Sequence, residues 1–168
     1  MAMSMYQASV PAFLQMLNAL SAILDKAEAF AAERKIDPAV LLGWRLAPDM
    51  FPLTRQVQIA TDQAKGCCAR LAGVEIPKYA DDETTFADLK ARIARTIDFV
   101  QGFRPGEIDG SEDREISLTA GSRELRFNGQ QYLVSFVLPN FYFHVTAAYA
   151  VLRHCGLAIG KRDFLGAT

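Results

Sequence analysis

The sequence predicts a mainly α-helical domain, a small bundle of four principal helices with a β-hairpin between helices 3 and 4. Three long segments repeat apolar residues at alternating spacings of three and four, and a fourth segment is apolar on nearly every side. Before the fourth segment, residues 115–119 and 123–127 alternate as strands do, on either side of a glycine-containing turn. At 168 residues, the chain fits a single domain over 1–168.

The first two helices are delimited by apolar seams and by proline and glycine. The apolar stripe of the first helix runs from Tyr6 to Ala31. We expect the second helix to begin near Pro48, which suits the first helical position, with Asp49 at the positive end of the helix dipole. Gly73 is a natural end for this helix.

Capping residues and breakers delimit the other two helices. Thr85 followed by Asp88 resembles a capping box, which predicts the start of the third helix. The last helix is predicted from about Gln130 to Cys155, with Pro139 bending or splitting it. Because one helix of a small bundle cannot bury all its sides, this apolar helix predicts a symmetric homodimer through helical faces.

Composition excludes several classes of protein. The 18 basic and 19 acidic residues are spread along the chain, and no Lys/Arg cluster is dense enough to follow a nucleic acid backbone. No run of about 18 apolar residues predicts a membrane span, and the N-terminus lacks the pattern of a signal peptide. Three cysteines, two of them adjacent, form a poor disulfide framework. We therefore expect a cytoplasmic protein.

Polar residues on apolar stripes are the candidates for a site. Asn140 and His144 are four apart on the last helix, and Asp49 and Gln56 are seven apart on the predicted second helix. If these faces meet, the four side chains form a polar pocket inside the bundle, where metals and ligands often bind. His144 is then either a metal ligand or acid/base group helped by Asp49, or a core histidine satisfied by hydrogen bonds. The spacing leaves both interpretations open.

The second histidine does not add to this site. His154 lies ten residues after His144, about 15 Å along a straight helix, so the two cannot share one metal ion. Since the chain has only these two histidines, a metal site of three histidines cannot be built. One histidine with carboxylate or amide ligands is the remaining possibility.

Several motifs resemble one bacterial family. That family is a domain of unknown function assigned to the DinB/YfiT-like helical bundles, and the resemblance covers nearly the whole chain. The motifs are RLAPDMFPL at residues 45–53 with QVQ at 56–58, LAG at 71–73, LPNFYFH at 138–144, RHCG at 153–156 and GKRDFL at 160–165.

The resemblance implies an up-down-down-up four-helix bundle that is often a homodimer. The wider superfamily is described as metal-dependent enzymes, some of them thiol-dependent transferases or hydrolases. Their site uses one histidine on the second helix and a His-x-x-x-His pair on the last. In this sequence His144 matches one histidine of the pair, but Ala148 follows it four residues later and Asn140 precedes it by four. The second helix offers Asp49 or Gln56 in place of a histidine.

Two functions follow from the sequence. The first is binding of a small ligand in the polar pocket, without a claim of catalysis. The alternative is a metal-dependent enzyme of the DinB type, in which His144 and Asp49 hold a divalent ion such as zinc or nickel. The motifs add Arg45 and Tyr142 to the candidate pocket. The pocket then consists of Arg45, Asp49, Gln56, Asn140, Tyr142 and His144.

Overall fold

The computed structural model describes residues 3–166, which form four long helices, shorter helical segments and one hairpin. A π-helical segment, Tyr132–Val137, joins α6 (Gly129–Gln131) to α7 (Leu138–His154), so that one continuous helix runs over residues 129–154. The strands are β1 (Glu115–Ala120) and β2 (Arg123–Asn128). The helices are α1 (Met5–Arg34), α2 (Pro38–Leu42), α3 (Leu53–Ala72), α4 (Phe86–Gln101), α5 (Pro105–Ile108), α6 (Gly129–Gln131), α7 (Leu138–His154) and α8 (Lys161–Leu165).

Local sequence explains the helix ends. The Thr85 hydroxyl accepts the backbone N–H of Asp88 at 3.1 Å, and the Asp88 carboxylate accepts the N–H of Thr85 at 2.9 Å, so the predicted capping box is confirmed. Gly73 ends α3 with φ at 72°, a left-handed conformation that favours glycine.

The predicted start of the second long helix is wrong. The helix α3 begins at Leu53, and Asp49 lies in the preceding loop instead of on the same helical face as Gln56. The physical reason is Pro52, whose ring disfavours helical backbone at Phe51, the residue before it. The loop is closed by a hydrogen bond from the Leu53 N–H to the Trp44 carbonyl at 3.0 Å.

The long helices enclose one hydrophobic core. The helix α3 packs against both α4 and α7, and α1 packs against the same two helices. Across the core, Phe13 of α1 meets Phe141 of α7 edge to face, with ring centroids 4.9 Å apart. The core is built mainly from aliphatic seam residues, including Leu17, Leu20, Leu24, Val57, Ala64, Leu71, Leu89, Ile93, Val145 and Leu152.

An arginine is fully buried between α3, α4 and the loop that joins them. The Arg92 side chain is 0% exposed. Its guanidinium donates to Thr61 Oγ1 at 2.7 Å and forms ion pairs with Asp62 at 2.8 Å and with Asp81 and Glu83 at 3.0 Å. A buried charge is tolerated only when it is paired and hydrogen-bonded. Arg92 therefore fixes the loop and α4 against α3, and we name these five residues the Arg92 cluster.

The π-helical segment corrects the phase of the last helix. Leu133, Val137, Phe141 and Val145 are all buried, although they follow one another at spacings of four. In a regular α-helix each such step rotates the side chain by about 40°, which would carry Val145 about 120° away from Leu133. The segment holds an extra residue per turn, with the Leu138 N–H donating to the carbonyl of Leu133. It thereby keeps both ends of the helix facing the core.

The predicted hairpin is confirmed. Strands β1 and β2 pair antiparallel, with Ile116 opposite Phe127. Ile116 is buried, and the Phe127 ring packs against the rings of Tyr132 and Phe136 at centroid distances of 6.0 and 5.3 Å. The hairpin, which would be marginal alone, is thus stabilised by the last helix.

Two helices of the described residues are long and apolar enough to cross a membrane by length and composition alone. They are Met5–Arg34 and Gly129–His154. Both also supply core residues of the bundle, and the core helices of globular proteins share these properties.

Candidate functional site

The structure brings together two of the predicted site residues, His144 of α7 and Gln56 of α3. Nδ1 of His144 lies 2.7 Å from Oε1 of Gln56, and both side chains are buried. Nε2 of Gln56 donates in turn to the backbone carbonyl of Phe51 at 3.0 Å. Both helices are held in the core, so the pair sits on rigid elements.

These contacts define the hydrogen position on the imidazole. Because the amide nitrogen of Gln56 donates to Phe51, the amide oxygen must be the atom that faces His144. An amide oxygen only accepts, so Nδ1 of His144 carries the hydrogen. In the neutral ring the hydrogen is then absent from Nε2, which presents a lone pair. Within residues 3–166, no hydrogen-bond partner of Nε2 is present.

The surroundings favour the neutral imidazole. Burial lowers the pKa of His144 below its ordinary value, and the positive charge of Arg55 lowers it further. The neutral ring with a free Nε2 is the form in which histidine accepts a hydrogen bond, acts as a base or binds a metal.

Asn140 does not contact His144 by a hydrogen bond. Its Nδ2 donates to the carbonyl of Phe136, one turn back, at 2.6 Å. Pro139 lacks an N–H, so this turn has one backbone donor fewer than a regular helix. Asn140 therefore stabilises the junction between the π-helical segment and α7, on which the position of His144 depends.

The remaining predicted residues lie at the surface near this pair. Asp49 and Arg45 are exposed in the loop before α3, where the Arg45 guanidinium donates to the carbonyl of Met50 at 2.5 Å. Tyr142 is 38% exposed. Within residues 3–166, none of these three side chains forms a hydrogen bond or ion pair with His144.

Exposed aromatic rings lie on or next to the elements that carry this pair. Phe143 and Phe51 are 56% and 52% exposed, and the Phe143 ring stands at 90° to the His144 ring with centroids 5.2 Å apart. Trp44 packs instead on His154, with ring centroids 6.3 Å apart. We name Phe51, Tyr142 and Phe143 the aromatic face.

The donor atoms differ from those of a catalytic zinc site. Such a site takes three protein ligands. In the described part of the chain, no group of three His, Cys, Asp or Glu side chains is placed to hold a metal ion. A site of that three-ligand kind is therefore not formed by these side-chain types within residues 3–166.

Two features outside this site were not predicted. One is the Arg92 cluster. The other is a groove beside it, of about 470 Å³, between the C-terminal half of α3 and the following loop. A further groove of about 820 Å³ lies between α1 and α8. Neither groove is lined by His144.

We expect NMR spectra to show the Nδ1–H form of His144, with a titration midpoint below about 6.5, the ordinary value of the pKa. The change Gln56→Leu removes the acceptor and should abolish the preference for this form, whereas Gln63→Leu, on the same helix, should not. An Nε2–H form in the unaltered protein would contradict the geometry.

The same pKa shift has a consequence for stability. Since the pKa is lower in the folded state, that state binds fewer protons between the folded and unfolded pKa values. The contribution of His144 to the free energy of unfolding is complete above about pH 6.5 and is lost as the pH falls through the folded pKa. His144→Gln should flatten this part of the pH profile.

Comparison with known proteins gives a family. The family described as domain of unknown function (DUF1993) matches residues 5–165. The crystal structure of a DinB family member protein from Shewanella denitrificans is similar, with 43% sequence identity and a TM-score of 0.86 over 97% of this chain and 92% of that chain. No curated protein matches the sequence.

The match covers nearly all of the chain, and it confirms the resemblance that the motifs indicate. The chain belongs to the DUF1993 family, a domain of unknown function within the DinB-like superfamily.

Proposed function

We propose that this protein is a helical bundle that binds a small ligand at His144. The observation that carries the proposal is the fixed ring of His144, whose Nδ1 is engaged by Gln56 while Nε2 has no partner among the described residues. Nε2 is not closed off from solvent, so a ligand can reach it. A ligand that approaches from the aromatic face would supply that partner.

The chemistry of the site limits the ligand. A neutral Nε2 accepts, so the ligand must present an O–H or N–H donor. The exposed Phe143 ring beside it favours a flat, apolar body next to that donor. We therefore propose a small aromatic alcohol or amine as the ligand class.

A second candidate is a divalent metal ion, and the same unprotonated Nε2 favours it. Asp49 is the carboxylate of the predicted pocket. It lies in the loop before α3, and the Phe51 carbonyl of the same loop accepts a hydrogen bond from Gln56. An ion held by His144 and Asp49, with water or substrate at its other positions, would make the protein a metal-dependent enzyme of the DinB type, a thiol transferase or a hydrolase. Zinc or nickel suits imidazole nitrogen.

The experiment uses NMR of the two histidine rings. Phenol should shift the signals of His144 and saturate, whereas anisole, which has the same ring without the O–H, should not; His154 serves as the internal control. The absence of a His144 response to phenol would contradict the ligand proposal. In parallel, stoichiometric zinc or nickel that is lost in His144→Ala but retained in His154→Ala would establish the metal candidate instead.

We infer the up-down-down-up order of the long helices from three contacts. Lys90, near the start of α4, binds Asp25, near the end of α1, at 2.8 Å, which supports an antiparallel pair. Glu83, just before α4, accepts from Gln58, near the start of α3, at 2.8 Å, which supports a parallel pair. The two ends of α3 contact opposite ends of the helix over residues 129–154, which supports an antiparallel pair.

We also propose a cytoplasmic homodimer joined through helical faces, with the apolar last helix at the interface. Val134 of this helix is 53% exposed, and a second copy would bury it. The cysteines, of which Cys67 and Cys68 are buried as free thiols, are consistent with a reducing compartment. Sedimentation that shows only monomer at micromolar concentration would contradict the dimer.

A further inference from the structure

The groove beside the C-terminal half of α3 is lined by more positive than negative side chains. Its walls include Lys65, Arg70 and Lys78 against Asp62 and Asp81. It is a shallow groove of about 470 Å³ that is open to solvent. It is separate from His144, which lies elsewhere on the bundle.

The carboxylates of the groove are already engaged. Asp62 binds Arg92 at 2.8 Å and Lys65 at 2.9 Å. Asp81 binds Arg92 at 3.0 Å and Arg55 at 2.7 Å. Together with Glu83 of the Arg92 cluster, these make three carboxylates. Their three negative charges are balanced by the positive charges of Arg92, Lys65 and Arg55.

Arg70 and Lys78 carry the remaining charge. In the part of the chain that the structure describes, no carboxylate forms an ion pair with either of them. The Arg70 guanidinium donates to the hydroxyl of Tyr132 at 2.9 Å. This phenol is neutral, because burial raises the pKa of Tyr132 to about 12. The half-buried guanidinium of Arg70 is therefore held in place by the neutral hydroxyl of Tyr132, and its other N–H groups are available to donate to an anion.

A glycine in the middle of α3 makes room for this arrangement. A Cβ at Gly66 would lie 2.8 Å from a terminal nitrogen of Arg70, so the guanidinium rests against the helix where a side chain is missing. Glycine inside a helix costs about 1 kcal/mol relative to alanine. The buried Gly66 is thus explained by the position of Arg70.

We propose that this groove binds a phosphate group through Arg70 and Lys78, either as the free ion or on a small phosphorylated molecule. The planar guanidinium donates two parallel hydrogen bonds to a tetrahedral oxyanion, and the ammonium of Lys78 adds a second charge. Lys65 also lines the groove, but its ammonium is paired with Asp62 and is not part of the proposed contact.

The test is a titration of the whole isotope-labelled protein with sodium phosphate, balanced with sodium chloride to constant ionic strength. Amide signals of Gly66 and Lys78 should shift and saturate with phosphate, whereas acetate should act as chloride does. Phenyl phosphate separates the two sources: tighter binding than inorganic phosphate assigns the groove to a phosphorylated molecule, and equal binding assigns it to the free ion.

Variants locate the binding. Arg70→Gln should weaken phosphate binding at least about tenfold and Lys78→Gln about fivefold, because each removes a charge-assisted contact. Gly66→Ala, which leaves the charge unchanged, should also weaken it by displacing Arg70. The control Lys161→Gln, on α8, should bind as the unaltered protein does.

Two outcomes would overturn the proposal. One is a phosphate response that equals that of chloride or acetate. The other is unchanged affinity in Lys78→Gln, an exposed position where the substitution leaves the fold intact. Since the His144 ligand experiment is read on a different signal, failure here leaves that proposal standing.

Discussion

The buried ion cluster of Arg92 is the interaction on which the rest of the structure depends. It joins α3, α4 and the loop between them, together with the buried hydrogen bond from Gln58 to Glu83, and a charge left unpaired there would be costly. Because α3 is fixed in this way, it presents Gln56 to α7 and Arg70 to the following loop. Both proposed binding sites are therefore consequences of how one helix is held.

Much of the fold follows from local patterns. Apolar seams, the Thr85 capping box and the alternation of the hairpin strands are set by interactions between neighbours in sequence, and these predictions are confirmed. The prediction for Asp49 is wrong because Pro48 suits a helix start by residue type, whereas α3 begins only after Pro52. The sequence signal of the π-helical segment is a run of three successive spacings of four between buried residues, from Leu133 to Val145.

The candidate site was predictable only in part. Residue type and spacing identified His144 and Gln56, which the structure joins by a hydrogen bond. The direction in which the Gln56 amide points, and hence the free Nε2, depends on a backbone carbonyl in an irregular loop. The Arg92 cluster gave no periodic signal, because its partners are spread over about thirty residues and a loop brings Asp81 and Glu83 to α4.

The most direct measurement is a double-mutant cycle on urea unfolding with Arg92→Met and Glu83→Gln. If the cluster holds α3, Arg92→Met alone should lower the free energy of unfolding by about 3–5 kcal/mol, and the double variant should lose clearly less than the sum of the single losses. Arg95 is 57% exposed and reaches Glu83 only at 4.0 Å, so Arg95→Met should change the free energy of unfolding by less than about 0.5 kcal/mol. Small, additive losses at Arg92 and Glu83 would contradict the central role of this cluster.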